Sequence, residues 1–192
     1  MDGKNSVYII GGPRAAGKST LLDRADTDTA VLNTENHLYQ IVSEKKNIRN
    51  KEQLLEEGVS EETGRKLVDR IYDECRGRDM ILDTYFYRKG YLGLPRKNIE
   101  YIKEKFEDTE FYIAHITCDM KPLMDRREKR ELDSRFRKAF DDKQGNDYGF
   151  KIYREILQKD PRKSFTLNNY DIDESVELIE KFLDGQEVCC RL

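Results

Sequence analysis

The stretch VYIIGGPRAAGKST, residues 7–20, decides how the rest of the chain is read. Val7, Tyr8, Ile9 and Ile10 form a short apolar run of the kind that fills a strand inside a parallel sheet. Gly12-Pro13-Arg14-Ala15-Ala16-Gly17-Lys18-Ser19 then fits the pattern G-x-x-x-x-G-K-[ST] completely, and STLLDRA continues it with a helical pattern. The chemistry behind such a loop is phosphate binding. Glycines let successive backbone N–H groups turn inward around phosphate oxygens. The N-terminus of the following helix adds its positive dipole end. Lys18 is expected to reach the β- and γ-phosphates of a nucleotide, with the Ser19 hydroxyl ligating Mg²⁺. Arg14 stands in the variable part of the loop, where a solvated side chain and a phosphate contact are both open.

Composition sets the frame around this loop. The chain has 192 residues, long enough for one domain with a core of its own. Charged residues make up 38% and hydrophobic residues 37%, yet the signs alternate and the net charge is only −3. Recurrent apolar runs argue for a folded chain with a heavily charged surface. No run approaches the roughly 20 apolar residues of a membrane span. The opening MDGKNS has no apolar signal region. Cys75, Cys118, Cys189 and Cys190 lack C-x-x-C pairing, so free thiols in a reducing, cytoplasmic compartment are expected. The end of the chain, GQEVCCRL, reads as a loose tail.

Short β-rich runs alternate with helical patterns. Strands are expected near 7–11, 29–33, 79–83, 110–117 and 163–168. Helices are expected near 18–25, 35–46, 51–57, 60–76, 96–106, 121–131, 146–158 and 173–184. Ser60, with Glu61, Glu62 and Thr63 after it, gives the helix at 60 a good start signal. Alternation of this kind predicts an α/β fold, a parallel sheet flanked by helices. No repeat or linker divides the chain, so residues 1–192 are read as a single domain.

Two further elements bear on the site. MILD ends a predicted strand with Asp83, at the sheet end where ligands of open α/β folds gather. A carboxylate there suits a metal-bound water or an acceptor. The loop TYFYRKGYLGLPR follows, aromatic and basic enough to wall a pocket. Residues 121–138, KPLMDRREKRELDSRFRK, carry eight Lys or Arg against four acids. A solvated charged helix is one reading of that run. A lid bringing arginines onto a transferring phosphoryl group is the other, favoured by the complete phosphate loop. The acidic net charge gives little support to a nucleic-acid footprint. His115 reads as a packed core histidine, and His37 carries no partner motif.

NTENHLYQIVSEKKNIRNKEQL (33–54), MILDTYFYRKGYLGLP (80–95), the paired Arg126-Arg127 and the terminal Asn168-Asn169 follow the phosphate loop in order. In that order the chain resembles the archaeal-type adenylate kinases, P-loop nucleoside monophosphate kinases, over about residues 5–183. The resemblance implies a three-layer fold with a five-stranded parallel sheet in order 2-3-1-4-5. It also implies monophosphate-side helices within 33–76, a lid at 121–145, and a trimeric assembly. The implied activity is ATP-dependent phosphoryl transfer to a nucleoside monophosphate, as in ATP + AMP to 2 ADP. Gly12, Pro13, Arg14, Ala15, Ala16, Gly17, Lys18, Ser19 and Thr20 would hold the ATP phosphates, with Arg127 and Asn168 on the nucleotide. Mg²⁺ would be bound by Ser19 and, through water, Asp83. Lys18, Asp83, Arg126, Arg130 and Arg135 would carry the transfer. Asn33, Tyr85, Arg88, Gly93, Leu94 and Pro95 would form the acceptor pocket.

The chain departs from this family at the acceptor side. Tyr85 replaces the histidine after Asp-Thr, and Lys51 and Leu55 stand where arginines are usual, with Arg49, Arg88 or Arg96 as candidates to compensate. Two alternatives follow: the same fold with a small-molecule or polynucleotide hydroxyl as acceptor, Asp83 then serving as general base, or an ATPase acting in ribonucleoprotein assembly.

Overall fold

A computed structural model describes residues 5–45, 60–86, 96–130, 136–158 and 160–188. Five strands form one sheet: β1 (Ser6–Gly11), β2 (Ala30–Asn33), β3 (Met80–Thr84), β4 (Glu110–Thr117) and β5 (Ser164–Asn168). All neighbours pair in parallel, in the order β2-β3-β1-β4-β5. This is the expected sheet, and each strand lies within one residue of its expected bounds. The β-branched and aromatic runs are short and end at polar residues, which leaves little freedom in the assignment.

Alternation along β1 sends successive side chains to opposite faces and so defines two cores. Val7 and Ile9 join Met80, Leu82, Phe111 and Ile113 on one face. That face is covered by α2 (Thr34–Lys45), α3 (Glu61–Cys75), α4 (Arg96–Lys105) and α6 (Phe136–Leu157). Tyr8 and Ile10 join Ile81, Ala114, Ile116, Phe165 and Leu167 on the other, beneath α1 (Lys18–Arg24) and α7 (Ile172–Leu183). The result is three layers. α5 (Met120–Lys129) contributes Leu123 to a small third cluster with Ala15, Cys118 and Ala139. Ser60 caps α3 as expected, its hydroxyl accepting from the Thr63 N–H at 3.1 Å. The helix expected at 51–57 lies outside the described residues.

One helix is longer than its pattern suggests. The reading placed a helix at 146–158 and a lid up to 145, whereas α6 runs unbroken for 22 residues from Phe136 to Leu157. Gly145 and Gly149 both lie inside this helix, where glycine is disfavoured by propensity. Gly149 lets α6 lie directly on the end of β3, where a Cβ would meet the Phe86 carbonyl oxygen at 2.3 Å. Among the described residues, no helix is long and apolar enough to cross a membrane.

His115 is 2% exposed, stacked on Phe150 at 5.2 Å and edge-on to Phe86 at 5.7 Å. His37 instead faces α3, with Nδ1 at 3.5 Å from a Glu74 carboxylate oxygen. Burial, reinforced by the positive charges of Lys143 and Lys18, pushes the His115 imidazole down to about 3. The unfolded chain therefore takes up a proton below about pH 6.5 that the folded chain refuses. The stabilisation is complete above that pH and is lost as pH falls towards 3. Urea unfolding of the wild type and His115→Phe at pH 7, 6 and 5 is expected to show the wild type losing about 1 kcal/mol more per pH unit than the variant below pH 6.

Candidate functional site

The carboxyl ends of β1, β2 and β3 finish level, because Ile10 pairs with Asp83 and Asn33 pairs with Asp83 in the sheet register. The loop leaving β1 therefore begins its turn beside the Asp83 carboxylate. It turns where only glycine fits. A Cβ on Gly12, at φ +153°, would lie 1.9 Å from the Ile116 carbonyl oxygen of β4. At Gly17, φ +100°, a Cβ would strike the Asn169 side-chain amide at 2.3 Å. Ala15 adopts φ 66° without being glycine, a strained conformation held by packing against Cys118, Leu123 and Ala139.

Lys18 folds back into this loop. Its Nζ donates to the Gly12 carbonyl at 3.0 Å and to the Pro13 carbonyl at 3.5 Å, and the residue is only 6% exposed. The Tyr85 ring covers the ammonium, with its centroid 4.1 Å from Nζ. Burial pushes Lys18 down to about 8, while Asp83 and Glu35 favour its charge and Arg14 and Arg130 oppose it. α1 has only seven residues, so its dipole is short. Loop N–H groups and Lys18 are the main positive features. Ser19 and Thr20 are exposed at the start of α1.

Asp83 is 8% exposed, and burial raises its carboxyl against the opposing effects of Lys18 and an Asn33 hydrogen bond. Asn33, expected in the acceptor pocket, is engaged at both ends of its amide. Nδ2 donates to Asp83 Oδ2 at 2.8 Å, and Oδ1 accepts from the Asn36 N–H at 3.0 Å, capping α2. Thr34 ties the same corner, its hydroxyl 2.9 Å from that of Thr84. Glu35, in the first turn of α2, reaches Arg14 of the loop at 3.5 Å. Burial raises the Tyr85 hydroxyl, beside Glu35 and Arg14.

On the other flank, Ala16 is gripped twice through its carbonyl. Asn169 Nδ2 donates to it at 2.9 Å and Arg126 Nη1 at 3.2 Å, while Arg126 Nη2 reaches the Asn169 carbonyl at 3.2 Å. Arg126 thus lies against the phosphate loop. Arg127 does not: it points the other way from α5, is 2% exposed, and pairs with Asp142 of α6 at 2.8 Å. Neighbouring helix positions are about 100° apart, so the paired arginines take opposite roles. The expectation of Arg127 on the nucleotide gives way to a buried ion pair between α5 and α6. Arg130 follows α5, exposed, with its charge felt at Lys18. Asn168 ends β5 with a buried Oδ1 that has no hydrogen-bond partner among the described residues. Arg96 is drawn onto the surface of α4 and α6, bound to Glu100 at 3.2 Å and Glu155 at 2.9 Å. Arg135, Arg88, Gly93, Leu94 and Pro95, with Arg49, Lys51 and Leu55, lie outside the described residues.

The sequence reading missed how α6 supports the site. Asn146 Oδ1 accepts from the Phe86 N–H at 3.0 Å, Lys143 Nζ donates to the Thr117 hydroxyl at 2.7 Å, and Asp142 holds Arg127. These three residues pin the ends of β3, β4 and α5 to one helix. No local pattern marks them. A cleft of about 840 Å³ lies at the opposite end of the sheet beside Phe106, Phe111 and Leu157. Ligands of open α/β sheets gather at the carboxyl ends of the strands, so the phosphate loop, not that groove, is the candidate site.

No protein-family model matches the chain, and no curated protein sequence matches it. Solved structures match its fold. The YorR protein of Bacillus subtilis, solved in complex with phosphorylated GDP, has a TM-score of 0.56 and 15% identity, covering 93% of this chain and 95% of its own. An uncharacterised protein from Eubacterium ventriosum has a TM-score of 0.52 and 14% identity, over 95% of this chain and all of the other. Identities this low speak for architecture alone. The chain shares with them an α/β fold built on a five-stranded parallel sheet in order 2-3-1-4-5, and nothing in these likenesses narrows it to the archaeal-type adenylate kinases.

The buried and exposed ion pairs of this region differ sharply in expected worth. Asp142→Ala, which removes a partner from the buried Arg127 guanidinium, is expected to cost about 3 kcal/mol. Lys66→Ala removes an exposed pair with Glu62 and is expected to change stability by less than about 0.5 kcal/mol. Denaturant unfolding of both variants measures the contrast.

Proposed function

We propose that this protein is an ATP-dependent phosphotransferase whose acceptor is a nucleoside monophosphate. One observation carries the reading: a complete phosphate loop wraps a buried ammonium, Lys18, at the sheet end where Asp83 stands. Phosphorylated GDP bound to a protein of the same fold is in keeping with nucleotide chemistry on this scaffold.

The donor set at the loop also suits Mg²⁺. Ser19 offers an exposed hydroxyl, and the Asp83 oxygen opposite the one bound by Asn33 has no further partner among the described residues. These are hard oxygen donors. Mg²⁺ bound by Ser19 and, through water, by Asp83 would neutralise charge on the β- and γ-phosphates.

Loop N–H groups from Gly12 to Thr20 would receive the phosphates, in place of the internal carbonyl contacts that now occupy Lys18. The ammonium would move from the Gly12 carbonyl to the β- and γ-oxygens. Arg126, already against the loop, and Arg130 beyond it would face the charge that spreads over the transferring group. An acceptor phosphate oxygen forms the bond to the γ-phosphorus, while the bond to the β,γ-bridging oxygen breaks and ADP leaves with its electron pair. A phosphate acceptor is already an anion and needs no general base. Asn33 would act by orienting Asp83, and Tyr85 would border the acceptor.

A hydroxyl acceptor is the second reading. It is favoured by Asp83, whose burial raises its affinity for a proton and equips it to take one from an attacking alcohol. Product analysis with Mg-ATP and AMP, CMP, UMP, GMP or no acceptor separates these readings. A diphosphate formed with one monophosphate, and reduced at least about 100-fold in Lys18→Ala, is the expected result. Hydrolysis without any diphosphate product would overturn the monophosphate reading and direct the assay to hydroxyl acceptors.

A further inference from the structure

Tyr85 is where the chain departs from the residues usual after Asp-Thr, and its surroundings give the departure a physical role. β3 ends at Thr84, and Tyr85 and Phe86 are the first two residues beyond it, both packed against the core that holds Val7 and Ile9. Phe86 is the anchor. It is 1% exposed, its ring lies 5.4 Å from that of Phe150 and 5.1 Å from that of Tyr153, and its N–H is held by Asn146. A Cβ on Gly11 would lie 2.6 Å from the same ring, so β1 also closes on it. A fully packed neighbour therefore presents the Tyr85 ring to Lys18.

The ammonium has loop carbonyls on one flank and the ring face on another. An aromatic face attracts the cation without neutralising it, as a carboxylate would. It also occupies volume that water would otherwise fill next to the reacting phosphate. Both effects come from the ring, not from the hydroxyl. The hydroxyl lies towards Arg14 and Glu35.

We infer that Tyr85 is a positioning residue whose ring holds the Lys18 ammonium on the phosphate loop and excludes water, and so sets the ratio of phosphoryl transfer to hydrolysis. The inference rests on the phosphotransferase reading. In transfer, the acceptor oxygen bonds to the γ-phosphorus as ADP leaves. In hydrolysis, a water oxygen forms that bond, inorganic phosphate results, and the proton goes to solvent. The ring acts on the choice between the two oxygens.

Tyr85→Phe, Tyr85→Leu and Tyr85→Ala separate the two effects. Each is assayed for diphosphate product with the wild type's best acceptor and for inorganic phosphate with Mg-ATP alone, with ATP affinity from calorimetry and folding from thermal unfolding. Tyr85→Phe keeps the ring and is expected to keep the ratio of transfer to hydrolysis within about threefold. Tyr85→Leu fills the space but loses the attraction, so kcat for transfer is expected to fall about tenfold with little added hydrolysis. Tyr85→Ala loses both, and the share of turnover ending in inorganic phosphate is expected to rise about tenfold. ATP affinity is expected to change by less than about threefold in all three, giving a kcat effect rather than a KM effect. An unchanged ratio in a folded Tyr85→Ala, or Tyr85→Phe behaving as Tyr85→Ala, overturns the role of the ring while leaving the phosphotransferase standing. A wild-type chain that transfers to no acceptor overturns both.

Discussion

Everything at the candidate site depends on the contact between Gly12 and the Ile116 carbonyl. The phosphate loop can leave β1 and turn back only by passing within backbone contact of β4, and any side chain at Gly12 would lie inside that carbonyl. The tight turn places the Gly12 oxygen where the Lys18 ammonium can reach it. With Lys18 drawn inward, a cation is stored under the loop beside Asp83 and Tyr85, largely desolvated. The order of consequences runs from one missing Cβ to one buried charge.

The loop that holds this charge is fixed from three sides that are distant in sequence. Asp83 arrives through β3 and is oriented by Asn33, which also caps α2. Glu35 follows on α2 and holds Arg14 of the loop. Arg126 and Asn169 bind the Ala16 carbonyl and fix the loop's far end. Groups from β3, α2, α5 and the residue after β5 are thereby tied to the same eight residues of loop. Movement on either side is felt at Lys18.

The strands and the phosphate loop were legible because their signals are local. A β-branched run ending at a polar residue, or glycines five apart before Lys-Ser, can be read within a dozen residues. Asp83 was legible for the same reason, as the acid that ends an apolar strand. Arg126 and Arg127 could not be told apart in advance, since their roles depend on the rotational phase of α5 against α6. Asp142, Lys143 and Asn146 carry no motif at all: their partners Arg127, Thr117 and Phe86 are 15, 26 and 60 residues away. Gly149 inside α6 is a place of close approach, and only the packed neighbour, the Phe86 carbonyl, shows it.

The three contacts of α6 have a consequence for anyone who would remodel this protein. The segment after β3 invites exchange as though it were an independent cassette. Here that segment is bolted through Phe86 to Asn146, and the same helix carries the socket for Arg127 four residues earlier. A segment transplanted after β3 without its own α6 would inherit a foreign mounting at Phe86, and the misfit would be transmitted along α6 to the buried pair of Asp142 and Arg127. The unit of exchange is the segment together with its helix.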